Sequence, residues 1–328
     1  MLIRFGFEIS IACNAPVPML LALSTHSQFA GRLIGVDRVR TVPEIPTEEY
    51  LDVYGNRITR IVAPAGELTL WSDCVAEVDG VADPVVPQAR QFAVEELPSP
   101  TLTFLTASRY CESDELSGIA WQLFGGTQPG WPRVQAICDF VHEHATFGYQ
   151  FGRPTKSAHD VYQERTGVCR DFAHLAVALC RAMNIPARYA SGYLGDIGVP
   201  PSGPGDFCAW FEVFLEGQWY TFDARYNIPR IGRILMVRGS DAADVAMMTS
   251  FGDYALTGFR IWADEIAGQA CDADILASLE TRPDAAALIG PSSGRLAHGQ
   301  SLFGETPMAA DDLSPTEAVS SRILESVG

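Results

Sequence analysis

A cysteine at the start of a predicted helix constrains this chain more than any other feature. Residues 166–193 read TGVCRDFAHLAVALCRAMNIPARYASGY, and apolar side chains recur at helical spacing over 172–183. Asn184 and the proline that follows predict the end of the helix. Cys169 therefore falls in the first turn, where unpaired backbone N–H groups and the helix dipole favour thiolate over thiol. The pattern predicts a nucleophile; the alternative is a small buried apolar residue.

Two segments further along the chain predict a β-hairpin. The stretches FCAWFEVFL (207–215) and QWYTFDAR (218–225) are rich in aromatic and β-branched residues, and a Glu-Gly pair separates them. In a hairpin with that two-residue turn, Cys208 and Asp223 lie on the same sheet face. They are diagonal neighbours, with Cβ atoms about 7 Å apart or a little less. The sequence therefore predicts that these two side chains are close to each other.

These segments together resemble the transglutaminase-like superfamily, in particular bacterial members described as candidate cysteine proteases. The shared patterns G-x-C, R-A-x-x-I-P-A-R-Y-x-S-G-Y, x-A-W-x-E-V and W-x-x-F-D occur at 167–169, 181–193, 208–213 and 219–223. The resemblance implies an α+β fold with a papain-like core, in which a cysteine, a histidine and an aspartate form a catalytic triad in that order. Cys169 would be the nucleophile and Asp223 the third member.

The position of the expected histidine holds a cysteine. The family motif is H-A-W-x-E-V, whereas this chain has Cys208 in the first place of the motif. A thiol is a poor base near neutral pH because its unperturbed pKa is about 8.5 and it forms no cation to pair with a thiolate. No histidine lies between His174 and His298, and the position three beyond Asp223 is Tyr226. The sequence therefore lacks the usual base of a full triad.

Other polar residues are weaker candidates. His174 lies on the same predicted helix as the thiol but about 140° around it, which predicts a packed histidine. His142 and His144 are two residues apart and so lie on different faces of a predicted helix, which does not favour a metal pair. His159 could reach the thiol only through a fold that the sequence does not specify. Gln163 has the spacing of a papain-like oxyanion donor, although a solvated helix-end glutamine is the simpler interpretation.

Composition limits the class of protein and its partners. The chain has 328 residues, 47% of them apolar, which is enough for two domains and a substantial core. A formal net charge of −17 argues against nucleic acid or an anionic membrane as partner. The opening residues alternate apolar and polar side chains and contain prolines, so they favour a strand over a signal peptide. No apolar run is long enough to span a bilayer.

Cysteine usage indicates the compartment. The eight cysteines are scattered, with no C-x-x-C pair and no spacing typical of metal ligands. We expect thiols in a reducing cytosol, hence a cytoplasmic protein with no metal and no cofactor.

Changes in pattern along the chain predict three regions. Residues 1–105 are expected to form a β-rich domain, which also resembles the domain that precedes the catalytic core in bacterial relatives, and 97–102 (LPSPTL) is the expected linker. Residues 106–266 are expected to form the transglutaminase-like core, with a last strand within 251–266. Residues 267–328 are rich in small, acidic and turn-forming residues, which predicts an acidic, largely disordered tail with at most short helices.

Two function classes follow. In the first, the protein is a cysteine hydrolase or acyltransferase acting on peptide or glutamine amides, with Cys169 attacking the carbonyl, Cys208 in the place of the base, and Asp223 orienting the group there. In the second, a catalytically impaired relative binds a peptide or protein through the same cleft. We also expect that oxidation can join Cys169 to Cys208, unless Cys208 only fills space beside Trp210.

Overall fold

The computed structural model describes residues 1–200, 205–266 and 273–283. Over these residues the strands are β1 (Leu2–Cys13), β2 (Val17–Leu21), β3 (Leu33–Ile34), β4 (Arg40–Val42), β5 (Glu48–Leu51), β6 (Arg57–Ala63), β7 (Gly66–Glu77), β8 (Thr146–Phe147), β9 (Thr166–Gly167), β10 (Ala187–Tyr193), β11 (Phe207–Leu215), β12 (Gln218–Phe222), β13 (Ile234–Gly239), β14 (Met248–Ser250) and β15 (Ala255–Glu265). The α-helices are α1 (Ser117–Phe124), α2 (Trp131–His144), α3 (Ala158–Glu164), α4 (Cys169–Ala182) and α5 (Ala273–Ser278). The mixture of helices and mainly antiparallel strands confirms the α+β class.

The N-terminal region is β-rich, as predicted. In the first sheet the order is β15-β1-β7-β3, with β4 also paired to β7, and a second sheet has the order β14-β2-β6-β5. The segment predicted to end the core does form a strand, β15, but its partner is β1. Gly6 of β1 permits this packing, because a Cβ atom there would lie 2.4 Å from the indole of Trp262 on β15. The chain thus returns to its own first strand.

A third sheet holds most of the predicted motifs. Its order is β12-β11-β10-β13, with antiparallel neighbours. The β11–β12 register runs from Leu215↔Gln218 to Phe211↔Phe222, which is the predicted hairpin. Both turn residues have positive φ, 47° and 83°, as a type I′ turn requires. The local sequence therefore sets the register that brings the ends of these strands toward the thiol.

Helix α4 lies between this sheet and the other helices. It packs against β10 and β11 on one side and against α1, α2 and α3 on the other. The sequence predicts an amphipathic helix held by one face, but every side chain from Cys169 to Ala182 is buried. Three charged side chains of the helix have internal partners: Arg170 pairs with Asp171 at 2.9 Å, and Arg181 donates to main-chain carbonyl oxygens at 2.6–3.0 Å. The thiol thus begins a fully enclosed helix.

The N-terminal sheet and the third sheet share one core. The side chains of Phe5 and Phe7 on β1 contact Tyr193 and Phe207, with ring centroids 4.9 and 6.4 Å apart, respectively. The same apolar cluster includes the thiol of Cys169. The N-terminal region thus supports the back of the candidate site.

Part of the predicted tail packs on the first sheet. Helix α5 falls within 267–328, and the adjacent Leu279 is buried against Leu2 and Val75. Arg282 donates to Glu8 on β1 at 2.6 Å. The other residues of the predicted tail lie outside the described residues. Over the ranges that are described, no helix combines the length and the apolar character needed to cross a membrane.

Candidate active site

Cys169 is the first residue of α4. Its side chain is only 1% exposed. The Asp171 carboxylate turns back to accept the backbone N–H of Val168 at 3.0 Å, which caps the first turn of the helix. Gly167 leaves room for this carboxylate, since a Cβ atom at that position would lie 2.7 Å from the Asp171 Cβ. The G-x-C pattern therefore has a structural cause, which is a tight entry into the helix whose first residue is the thiol.

Cys208 lies against this thiol. It is the second residue of β11, it pairs with Gly192 on β10, and it is 4% exposed. The thiol of Cys208 is hydrogen-bonded to that of Cys169. The cysteine at the histidine position of the motif thus contacts the predicted nucleophile.

The pKa values of the two thiols shift in opposite directions. The hydrogen bond from Cys208 lowers the pKa of Cys169, and the positive charge of Arg225 and the Ala209 backbone N–H add to the lowering, while burial and Asp206 oppose it. The same hydrogen bond, together with burial, raises the pKa of Cys208 well above its ordinary value. The arrangement therefore favours a thiolate at Cys169 and a protonated thiol at Cys208.

Asp223, the predicted third member, is buried close to Cys208 and raises the pKa of that thiol. Its Oδ1 accepts the backbone N–H groups of Arg225 and Tyr226, both at 3.0 Å. Its Oδ2 accepts from the guanidinium of Arg233, also at 3.0 Å. The charge of Asp223 is thus balanced by an arginine, in a place where a triad would have an imidazole.

The structure adds Arg225 to the residues that the sequence indicated. The turn held by Asp223 places its guanidinium 3.6 Å from the centroid of the Phe147 ring. From there its charge acts on both Cys169 and Cys208. The register of the predicted hairpin places Arg225 opposite Cys208, but β12 ends at Phe222, so Arg225 acts on the thiols from the turn that follows.

Asp206 is a second residue that the sequence analysis missed. Its Oδ1 is buried and has no hydrogen-bond partner among the described residues. Burial, followed by the neighbouring Cys208, raises the pKa of this carboxyl group well above its ordinary value, while a hydrogen bond with the Tyr149 hydroxyl opposes the shift. The two-residue period of a strand could have identified Asp206, because it precedes Cys208 by two positions and so shares its face.

The other candidates lie away from the thiols or are engaged elsewhere. His174 is fully buried, accepts a backbone N–H at 3.1 Å through Nε2, and has a pKa lowered well below its ordinary value by burial. His142 and His144 contact different main-chain carbonyl oxygens, at 2.9 and 2.8 Å. His159 lies in the first turn of α3, and Gln163 near the end of that helix is exposed. Across the described ranges, no group of three or more His, Cys, Asp or Glu side chains could hold a metal ion.

A small cleft opens behind Asp223. It has a volume of about 50 Å³, and its lining includes Trp131, Cys138 and Asn227 but neither of the two paired thiols. The cleft is therefore formed by Asp223 and residues of α2, and the thiol pair does not line it.

Comparison with known proteins gives the family likeness of this region. The sequence profile of the transglutaminase-like superfamily matches residues 118–224, which include both thiols and Asp223. This part of the chain is transglutaminase-like. A solved structure described as a "putative cysteine protease" from Cytophaga hutchinsonii is 28% identical, has a TM-score of 0.73, and is matched over 83% of this chain and 92% of its own.

Two mycobacterial relatives are uncharacterised. The protein from Mycobacterium leprae is 27% identical over 227 residues, which are 64% of this chain and 78% of the relative. The protein from Mycobacterium bovis is 34% identical over 132 residues, or 36% of this chain, and the match spans 41% of its length. These likenesses extend beyond the superfamily core, and neither relative is assigned an activity.

Proposed function

We propose that this protein is a cysteine-dependent hydrolase or acyltransferase of the transglutaminase-like type, acting on peptide or glutamine amides with Cys169 as nucleophile. The proposal is based on one observation: the Cys169 sulfur lies at a helix N-terminus and is hydrogen-bonded by the Cys208 thiol and the Ala209 N–H, with Arg225 nearby. These groups favour a thiolate without an imidazole.

In a cysteine triad the imidazole has two tasks, and the first is to keep the nucleophile ionised. In this protein we assign that task to the hydrogen bonds that Cys169 accepts and to the charge of Arg225. The thiolate attacks the amide carbonyl carbon and forms an S–C bond, and the C–N bond breaks to leave a thioester. Asp223 holds the turn that presents Arg225, so in this proposal it is a positioning residue.

The second task is to give a proton to the departing amine, and we assign it to Asp206. A carboxyl group with a raised pKa remains protonated to higher pH than usual and can act as a general acid. Its proton passes to the leaving nitrogen. Water or an acceptor amine then attacks the thioester, returns a proton to the Asp206 carboxylate, and releases Cys169 as the thiolate.

Partner and compartment complete the proposal. The partner is a peptide or protein that presents an amide, and the formal charge of −17 argues against nucleic acid. We propose the reducing cytosol as the compartment because the seven described cysteines are all free thiols.

The test is turnover of a panel of fluorogenic peptide amides and glutamine amides by the full chain. We expect release of the amine by the wild type and background rates for Cys169→Ser. Asp206→Asn should lower kcat by about 10²-fold, the lower range for a positioned acid, and should remove the alkaline limb of the pH profile. Asp253→Asn makes the same change at an exposed position outside the site, so it is the matched control and should leave kcat unchanged. A wild type no faster than Cys169→Ser would contradict the proposal.

A second candidate function is peptide binding without turnover. It is favoured by the ion pair between Asp223 and Arg233, which occupies the carboxylate that would otherwise orient a base. If this function is the right one, the wild type and Cys169→Ser bind peptides from the panel with equal affinity and neither releases the amine. Isothermal titration with both proteins separates the two functions.

A further inference from the structure

The Cys169–Cys208 pair has the arrangement of a redox site. We propose that these two thiols form a reversible oxidation site, in which a peroxide converts Cys169 to a sulfenic acid and Cys208 resolves it to a disulfide. The inference does not depend on amide turnover. It requires only that Cys169 reacts as a thiolate and that Cys208 can reach it.

Contact between the two side chains supports the second requirement. The thiols are joined by a hydrogen bond from the start of α4 to the second residue of β11. Helix α4 packs directly on β11, so the two chain segments are already held together. A disulfide has an S–S bond of about 2.05 Å and Cα atoms about 4.4–6.8 Å apart, so the two hydrogen-bonded thiols must still approach each other.

Charge supports the first requirement. The pKa of Cys169 is lowered and that of Cys208 is raised, and the charge of Arg225 acts on both sulfurs. The ionised sulfur is the one that reacts with peroxides, and a protonated neighbour is then available to condense with the product. Other ionisable groups that act on the pair are Asp206, Asp223, Arg233, Tyr149 and Tyr189.

The chemistry balances with hydrogen peroxide as oxidant. The Cys169 thiolate attacks one peroxide oxygen, so that an S–O bond forms, the O–O bond breaks, and hydroxide leaves and is protonated to water. The Cys208 sulfur loses its proton and attacks the sulfenic sulfur, so that the S–S bond forms and the S–O bond breaks, with release of a second water. Two thiols supply the two electrons that the peroxide takes up, and a dithiol reductant reverses the reaction.

A second pair of cysteines provides an internal control. Cys138 on α2 and Cys180 on α4 are close enough for the charge of Cys180 to act on Cys138, and Cys138 also lines the cleft behind Asp223. Burial raises the pKa of both thiols, and neither begins a helix. These two thiols are close together, but neither is favoured as a thiolate, and the thiolate is the form that peroxide oxidises. We therefore expect this pair to stay reduced.

Disulfide formation would have a direct consequence for the site. It would remove the Cys169 nucleophile and the thiol that hydrogen-bonds it, and would tie α4 to β11. Amide turnover, if present, would then stop on oxidation and return on reduction.

The experiment is peptide mapping of the full chain after brief treatment with hydrogen peroxide near pH 7. Free thiols are then alkylated, the protein is digested, and disulfide-linked peptides are measured by mass spectrometry. We expect a peptide that links Cys169 to Cys208 and disappears with dithiothreitol. Cys208→Ser should instead accumulate a sulfenic acid at Cys169, which dimedone traps at least about tenfold faster than at Cys138, because a free thiol is only a few per cent ionised at pH 7 and burial raises the pKa of Cys138 further.

The outcomes separate this proposal from the proposed function. Recovery of Cys169 and Cys208 in unlinked, alkylated peptides, under conditions that oxidise free cysteine, would overturn it. A link between Cys138 and Cys180 in place of the expected one would also overturn it. Amide turnover plays no part in either readout, so an inactive protein that forms the expected disulfide would contradict only the proposed function.

Discussion

Replacing Cys208 by histidine places an imidazole against the Cys169 sulfur and so tests whether only the base is missing. A positioned general base contributes about 10²–10⁴ to a rate. Two local features put the expected gain at the lower end. Arg233 already holds Oδ2 of Asp223 at 3.0 Å, so the new imidazole must compete for its orienting carboxylate. The charges of Arg225 and Arg233 also disfavour an imidazolium.

We therefore expect Cys208→His to raise kcat/KM for amide hydrolysis by about 10² over the wild type. The imidazole is larger than the buried thiol that it replaces, so the free energy of unfolding should fall by about 1–3 kcal/mol. The assay is release of a fluorogenic amine from the peptide amide panel, with urea unfolding measured on the same samples.

Two double variants serve as controls for this prediction. In the Cys208→His background, Asp223→Asn should remove most of the gain, because the carboxylate no longer orients the imidazole. Cys169→Ala in that background should abolish turnover. A folded Cys208→His protein that shows no gain over the wild type would refute the reasoning and favour the peptide-binding function.

Three further predictions concern stability. Arg233→Met leaves the Asp223 carboxylate without its cation and should cost about 3–5 kcal/mol in urea unfolding, whereas a loss under about 1 kcal/mol would show that the pair is dispensable. Gly192→Ala puts a Cβ atom 2.1 Å from the carbonyl oxygen of Ile234, so a lowered Tm is expected, and an unchanged Tm would mean that the sheet can shift there. His174 has a lowered pKa in the fold, so the unfolded chain binds the proton first and stability should fall as the pH drops below about 6.5. His174→Gln should flatten that decline, and an unaltered slope would assign it to other groups.

The sequence predicted the parts of the fold that depend on local pattern. The start of α4 at Cys169 follows from the apolar period and the G-x-C entry, and Asn184, two residues after the last helical residue, has a positive φ of 60°. The β11–β12 register follows from a two-residue turn that only one hairpin geometry fits. Cys208 lies beyond the paired part of this hairpin, and its contact with Cys169 depends on the packing of α4 against β11.

The parts that the sequence did not predict depend on distant segments. Strand β15 pairs with β1, about 250 residues earlier in the chain, and no local pattern encodes that choice of partner. Helix α4 is buried on all sides because α1, α2 and α3 cover the face that its polar residues suggested was exposed. The ion pair between Asp223 and Arg233 depends on the path of the chain after β12. The residue types alone therefore did not predict that these two side chains would pair.

The central claim is that Cys169 is a thiolate because Cys208 and Arg225 stabilise it, and its titration tests this most directly. The absorbance of the thiolate near 240 nm, followed against pH as the difference between wild type and Cys169→Ser, needs no reagent to reach a buried sulfur. We predict that Cys169 ionises at a lower pH than a free cysteine, and that Cys208→Ala moves the transition to higher pH. A Cys169 that ionises at or above the pH of a free cysteine, unchanged by Cys208→Ala, would contradict the account.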